Sequence, residues 1–370
     1  MSRRQYSATR RLLSAGLAAA IACGPVPAMA CTGIRIVSAD EAVIRARTME
    51  FGIDTQSNVI LVPRGYARTA TAPDGAEGKT WTTKYAALGM NILNENVLID
   101  GLNEKGLSVG AFYFPGYAGY QDYAASDAGK AVAPWELGTY ILENFATVDE
   151  VRAGLQEIVV PATEYPAWKM VPPLHYIVME PSGTALVIEY VDGTLNVHDN
   201  PIGVITNSPN FDWHMTNLNN YVNMTLQNVE PNTLGPLKVD GFGQGTGLLG
   251  IPGDFTPPSR FVRAAIFQYG VLKSETSDDA VLEAFHILNN FDIPRGVARD
   301  GEPDANGNIT VDYTQWTAAS DLENLRYYVR TYDNSAIRYV DLSAETLDAA
   351  DIKVWPVGGD ESVEPLAPAK

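Results

Sequence analysis

The chain has 370 residues, 46% of them hydrophobic and 19% charged, with a formal net charge of −18. That balance supplies a sizeable apolar core and excludes a disordered, collagenous or coiled-coil chain. An acidic chain of this kind has no general attraction for nucleic acid or an anionic membrane surface.

Residues 1–30 carry arginines at 3, 4, 10 and 11, an apolar run from Leu12 to Cys23, and small residues at Ala28 and Ala30. This is the layout of an export signal, with cleavage expected after Ala30; the general and twin-arginine routes both fit. Its apolar run is too short to span a bilayer, and no other stretch reaches about 20 uninterrupted apolar residues. The mature chain is therefore expected to be soluble, periplasmic or secreted, without stable membrane association. Removal of the signal moves the net charge to −22, because the lost piece has four arginines and no acids. Residues 31–370 are expected to form a single domain. Cys23 leaves with the signal, so Cys31 becomes both the first residue and the one remaining thiol, a flag for a reactive group.

Strand signals come first in the mature chain. CTGIRIV (31–37) and AVIRART (42–48) flank a turn at 38–41, which predicts Cys31 opposite Thr48; a one-residue slip would exchange the faces of Arg47 and Glu50. Helical spacing follows at 135–145 and 148–159. HYIVME, TALVIEYV and TLNVHD (175–199) are joined by Pro-Ser-Gly and Asp-Gly turns and read as antiparallel sheet. An apolar strand at 202–206 leads into Asn207-Ser208-Pro209-Asn210. Further helical spacing covers 260–272, with Ser259 as its expected N-cap, and 279–290. Strands mixed with helices without regular βαβ alternation indicate an α+β fold. Gly245–Gly250 fits G-x-G-x-x-G but runs into Ile251-Pro252-Gly253 instead of a helix, so it reads as a loop. The histidines at 175, 198, 214 and 286 lack metal-ligand spacing, and His286 fits a core or helix-face position.

Chemistry concentrates at Cys31. A thiol of free pKa near ~8.5 becomes a better nucleophile beside a guanidinium, and an α-amine of pKa ~8 on the same residue is a ready general base. Arg47 and Glu50 bracket the new terminus; the same pair also fits an ordinary strand ion pair. Asn207 stands where an amide can donate to a developing oxyanion, or where turn chemistry alone wants asparagine. Arg260 sits in a first helical turn, where the macrodipole disfavours a cation, which suggests a local anionic partner; a plain surface arginine is the competing reading.

CTGI at the mature terminus, RTMEF at 47–51, NEKGL at 103–107, TNSPNFDW at 206–213, GLLGIPGD at 247–254, SRFVRA at 259–264 and RTYDN at 330–334 together resemble the choloylglycine hydrolases, the family of penicillin V acylases and bile salt hydrolases. The resemblance runs from residue 31 to about 342. It implies an N-terminal nucleophile hydrolase fold, a four-layer αββα sandwich of two stacked antiparallel sheets flanked by helices. It also implies cleavage of a linear amide through an acyl-cysteine, without metal or organic cofactor, by an enzyme that assembles as a homotetramer. Carried over residue by residue, Cys31 matches the nucleophile, Arg47 the arginine beside it, Asn207 the oxyanion donor and Arg260 the second active-site arginine. Glu50 replaces the usual aspartate with a chain one methylene longer. Phe51 follows it where some Gram-negative members have tryptophan. Tyr113, in the oxyanion region, stands where penicillin V acylases carry tyrosine and bile salt hydrolases asparagine, which tilts substrate choice toward penicillin V and acyl-homoserine lactones; it also suits a core position. Conjugated bile salts are the alternative substrate. A lipid-anchored binding protein is the alternative from another class, disfavoured because both cysteines lack a leucine three residues before them.

Overall fold

β1 (Cys31–Val37) and β2 (Val43–Phe51) are dense in Ile, Val and Thr, residues that suit a pleated, packed surface, and they pair antiparallel. The computed structural model describes residues 30–301 and 309–368. Apart from Ala30, the expected export signal lies outside the described residues. The first turn is one residue longer than expected. Ser38 bonds the Ala42 carbonyl through both its N–H, at 3.0 Å, and its hydroxyl, at 3.2 Å, which draws Ala42 into the loop. Val37 then faces Val43, and Cys31 lies opposite Met49 instead of Thr48. Side chains alternate along a strand, so this slip places Cys31, Arg47 and Met49 on one face and Thr32, Thr48 and Glu50 on the other.

The first sheet runs in the order β1, β2, Thr310–Asp321, Arg326–Thr331 and Asn334–Asp341, with Ala298–Asp300 pairing the long third strand. The second has eight strands: Thr194–Asp199, Ala185–Val191, Leu174–Met179, Ser108–Tyr113, Asp100–Asn103, Ala87–Met90, Asn58–Val62 and Lys353–Pro356. One set of alternate residues in the second sheet, including Val59, Leu61, Leu88, Ile177 and Val187, packs against the first sheet. The other set, including Ile60, Val62, Tyr176, Val178 and Ile188, packs under α1 (Leu137–Asn144) and α2 (Val148–Gly154). On the far side, α4 (Pro257–Gly270) and α5 (Ser277–Leu288) cover the first sheet through Phe261, Ala264, Ala280, Val281 and Ala284; α3 (Phe211–Asn217) is a short helix between them and the second sheet's edge strands in sequence. The result is the expected αββα order of layers.

Element ends differ from expectation where tertiary bonds intervene. The helix predicted over 148–159 stops at Gly154 with one further 3₁₀ turn, because Val159 pairs with Lys130 and Val132. α4 starts at Pro257, with Thr256 rather than Ser259 at the N-cap position, since proline's fixed φ is already helical at the first position. The strand expected over 202–206 reduces to a single bridge between Ile205 and Gly33. A Cβ at Gly33 would lie 2.8 Å from Ile205 and 2.9 Å from Phe112, so glycine permits this close approach. His286 lies exposed on the face of α5, and Gly245–Gly250 forms a loop with a short 3₁₀ turn. No helix among the described residues is long and apolar enough to cross a membrane.

Candidate active site

Cys31 is fully buried with its side chain between the two sheets. Its Sγ lies 3.7 Å from Met49 Sδ, and Arg47 Nη2 lies 3.4 Å from that same thioether. Arg47 is held by the carbonyls of Ala111 at 2.6 Å and Thr48 at 3.1 Å, and its guanidinium stacks 4.1 Å from the Phe112 ring centroid. Behind it, Asp100 receives a hydrogen bond from Arg45 at 2.8 Å and from the Tyr327 hydroxyl at 2.8 Å, and lies 3.8 Å from Arg47. Burial pushes the Cys31 thiol above its ordinary pKa, and Arg47 is the main charge opposing that rise.

On the opposite face of β2, the Glu50 carboxyl accepts from Thr314 Oγ1 at 2.7 Å and Thr48 Oγ1 at 3.1 Å. Burial raises its pKa to about 8, with Arg260 the largest counterweight. Arg260 extends from the first turn of α4 into this space. It donates to the Phe255 carbonyl at 2.8 Å, Thr32 Oγ1 at 3.0 Å, the Cys31 carbonyl, and Asn207 Oδ1 at 2.6 Å. These oxygens and Glu50 answer the cation's unfavourable place at a helix start. Burial lowers the Arg260 pKa to about 10.

Asn207 arrives by register. Gly33 and Ile205 exchange both backbone hydrogen bonds, at 2.8 and 3.1 Å, so two residues further along the antiparallel pair Asn207 draws level with Cys31. Asn207 Oδ1 accepts from Cys31 N at 2.9 Å, and Nδ2 donates to the Tyr113 carbonyl at 2.8 Å. Tyr113 is buried at the end of its strand. Arg47, Glu50, Tyr113, Asn207 and Arg260 thus meet around Cys31, although no two of these five share a strand or helix except Arg47 and Glu50. Met49 and Asp100 belong to the same cluster and were missed. The alternation Arg45, Arg47, Met49 on one strand face, and a lone acid in the apolar run before Gly101, are the signals that could have found them.

Beside Met49 opens a narrow apolar pocket, lined among others by Ile92, Tyr113, Trp135, Trp168 and Leu174. A buried thiol next to a guanidinium, a carboxamide and an apolar pocket is equipped for attack on an acyl group. The sequence profile of the linear amide C–N hydrolases, choloylglycine hydrolase family, matches residues 31–355. The chain belongs to this family. It is 36% identical to the bile salt hydrolase/transferase of Clostridium perfringens over 88% of this chain and 96% of that protein. It is 27% identical to the penicillin V acylase of Pectobacterium atrosepticum over 94% of this chain and 89% of that one. Its structure is similar to the conjugated bile acid hydrolase of C. perfringens, with a TM-score of 0.79 and 33% identity over 90% of this chain and 99% of the other. The fold of the Agrobacterium tumefaciens penicillin V acylase also matches, with a TM-score of 0.70 and 23% identity over 89% and 92% of the two chains. The protein is thus an amidohydrolase by family.

The Glu50 carboxyl sets a pH dependence for the chain that still carries Ala30. Its folded pKa lies above the ordinary carboxylate value of 4.5, so its contribution to stability is complete below that value and declines as pH rises toward about 8. Thermal melts of the unprocessed protein are expected to show wild type losing stability relative to Glu50→Gln between those limits. A constant difference across that range contradicts the assignment.

Proposed function

We propose that the protein is a cysteine-nucleophile amidase of the penicillin V acylase type whose active form begins at Cys31. The observation that carries this reading is the placement of the Cys31 nitrogen 2.9 Å from Asn207 Oδ1 while its thiol borders the apolar pocket through Met49. The start of the family match at Cys31 supports removal of residues 1–30, which in this reading act as an export signal that takes the enzyme out of the cytoplasm. The freed nitrogen is then an α-amine on the same residue as the nucleophile.

In the proposed reaction the α-amine takes the thiol proton and sulfur attacks the amide carbonyl carbon. The developing oxyanion meets the second N–H of Asn207 Nδ2 and the backbone at Tyr113. Arg47 favours the thiolate, Arg260 holds Asn207 Oδ1, and Glu50 steadies the charged amine. Collapse breaks the C–N bond, and the leaving amine takes the proton from the α-ammonium. Water, deprotonated by the same α-amine, then hydrolyses the thioester. No cofactor takes part.

The pocket's aromatic walls support a slender apolar acyl group, aryloxyacetyl or fatty, over a rigid steroid. Medium-chain acyl-homoserine lactones present the same kind of acyl amide as penicillin V. Conjugated bile salts are the second reading, favoured by the 36% and 34% identities to bile salt hydrolase/transferases of C. perfringens and Lactiplantibacillus plantarum. Assembly as a homotetramer belongs to the same proposal. Its support is the exposed apolar set Val222, Leu226, Leu237 and Phe242 around the hairpin strands Asn232–Leu234 and Leu237–Val239.

Cys31→Ala is expected to abolish turnover and keep the fold, and Asn207→Ala to lower kcat by about 10²-fold, the scale of one oxyanion donor. Near-normal kcat in Asn207→Ala removes that residue from the mechanism. For substrate class, kcat/KM for penicillin V or a medium-chain acyl-homoserine lactone is expected to exceed that for glycocholate by at least about tenfold, a gap of ~1.4 kcal/mol, and Tyr113→Asn to narrow it. A wild-type preference for glycocholate replaces this reading with the bile salt one.

A further inference from the structure

The aim of the Asn207 carboxamide depends on its backbone φ and ψ, which are set by the two peptide planes on either side of its Cα. Both planes are gripped from behind. His175 Nε2 lies 3.0 Å from the Thr206 carbonyl oxygen, and His214 Nε2 lies 2.9 Å from the Asn207 carbonyl oxygen. A carbonyl only accepts, so each of these ring nitrogens is an N–H donor. The rings are themselves locked: His175 lies nearly parallel on Phe114 with centroids 4.4 Å apart, and His214 on Phe261 at 4.6 Å. Both histidines are buried.

His175 Nδ1 faces Glu189 Oε1 at 3.1 Å, and that oxygen also accepts the Phe211 N–H at 3.0 Å, at the start of α3. The ring is thus held at both nitrogens, by the Thr206 carbonyl on one side and the Glu189 carboxyl on the other. The other Glu189 oxygen lies 3.5 Å from His198 Nε2, whose Nδ1 faces Asp212 at 3.2 Å. Burial alone would raise the Glu189 carboxyl, but the two histidines bring it down to about 2. Burial lowers His214 to about 4, so that ring works neutral, with its proton on Nε2.

We propose that His175 and His214, with Glu189 behind His175, are positioning residues that clamp the peptide planes flanking Asn207 and so aim its carboxamide at the reacting carbonyl oxygen. The proposal rests on the reading of Asn207 as oxyanion donor. None of the three residues touches the substrate; each acts through Asn207.

Two independent variants test it. His214→Phe keeps a flat ring on Phe261, removes the donor and buries no charge. Glu189→Gln replaces the carboxylate that holds the far side of the His175 ring and the Phe211 N–H with a neutral amide. Each is expected to lower kcat for penicillin V by about tenfold to a hundredfold, the cost of a misplaced catalytic group, with KM moved less than about twofold. In an Asn207→Ala background the same substitutions are expected to cost less than about twofold, since they act through the missing side chain. Thermal melts identify a variant that fails to fold, in which case the other decides. Unchanged kcat in the folded variants, or losses that multiply in full with Asn207→Ala, overturns the clamp. Near-normal kcat in Asn207→Ala alone overturns the oxyanion reading and the clamp with it. An impaired Asn207→Ala beside fully active clamp variants overturns the clamp only.

Discussion

The Asn207 carboxamide accepts from the Cys31 nitrogen at 2.9 Å and from Arg260 at 2.6 Å, while its own nitrogen donates to the Tyr113 carbonyl at 2.8 Å. One planar group therefore ties the start of β1, the first turn of α4 and the end of a strand in the second sheet. A typical hydrogen bond contributes only about 1 kcal/mol net, but a buried partner left unpaired costs more, and Arg260 is a buried charge. The arrangement holds together or fails as a unit. It is possible because Gly33 lets Ile205 cross β1 closely enough to bring Asn207 level with Cys31.

Around that tie the charges are split between the two faces of β2. Arg47, backed by Asp100 and Arg45, stands on the thiol's side between the sheets. Glu50 and Arg260 stand on the helical side. Burial disfavours the charged forms of Cys31, Glu50 and Arg260, raising the first two and lowering the third, so these three depend on their neighbours to ionise. In the proposed mature enzyme the new α-amine enters this cluster on the Glu50 side, and the protonation of the whole group becomes linked to processing.

Much of this was legible in the amino-acid order, and the rest was hidden for identifiable reasons. Local signals sufficed for the hairpin strands 174–199, whose Pro-Ser-Gly and Asp-Gly turns set their own register. They failed at residues 38–42, where a serine bonding across the loop added Ala42 and shifted Cys31 by one partner. Helix ends moved where distant backbone claimed residues, as at Val159. Arg47 and Glu50 were recognisable from their distance to Cys31 along a hairpin, whereas Asn207 and Arg260 stood out only as an amide after a strand and a cation in a first helical turn; motif likeness joined them to Cys31, since no periodicity brings residues 31, 207 and 260 together. His175, His214 and Glu189 were passed over because a histidine bonded to a backbone carbonyl leaves no spacing pattern; its partner is a peptide group that every residue has.

In the proposed reaction, acyl transfer passes through the thiol of an N-terminal Cys31. Acid-quenching the enzyme during turnover of penicillin V, followed by proteolysis and mass spectrometry, reads that step directly. The expected result is an N-terminal peptide that begins at Cys31 and carries one phenoxyacetyl group as a hydroxylamine-labile thioester. A fully active enzyme whose N-terminal peptide still contains Ala30, or whose acyl group sits on another residue, contradicts it.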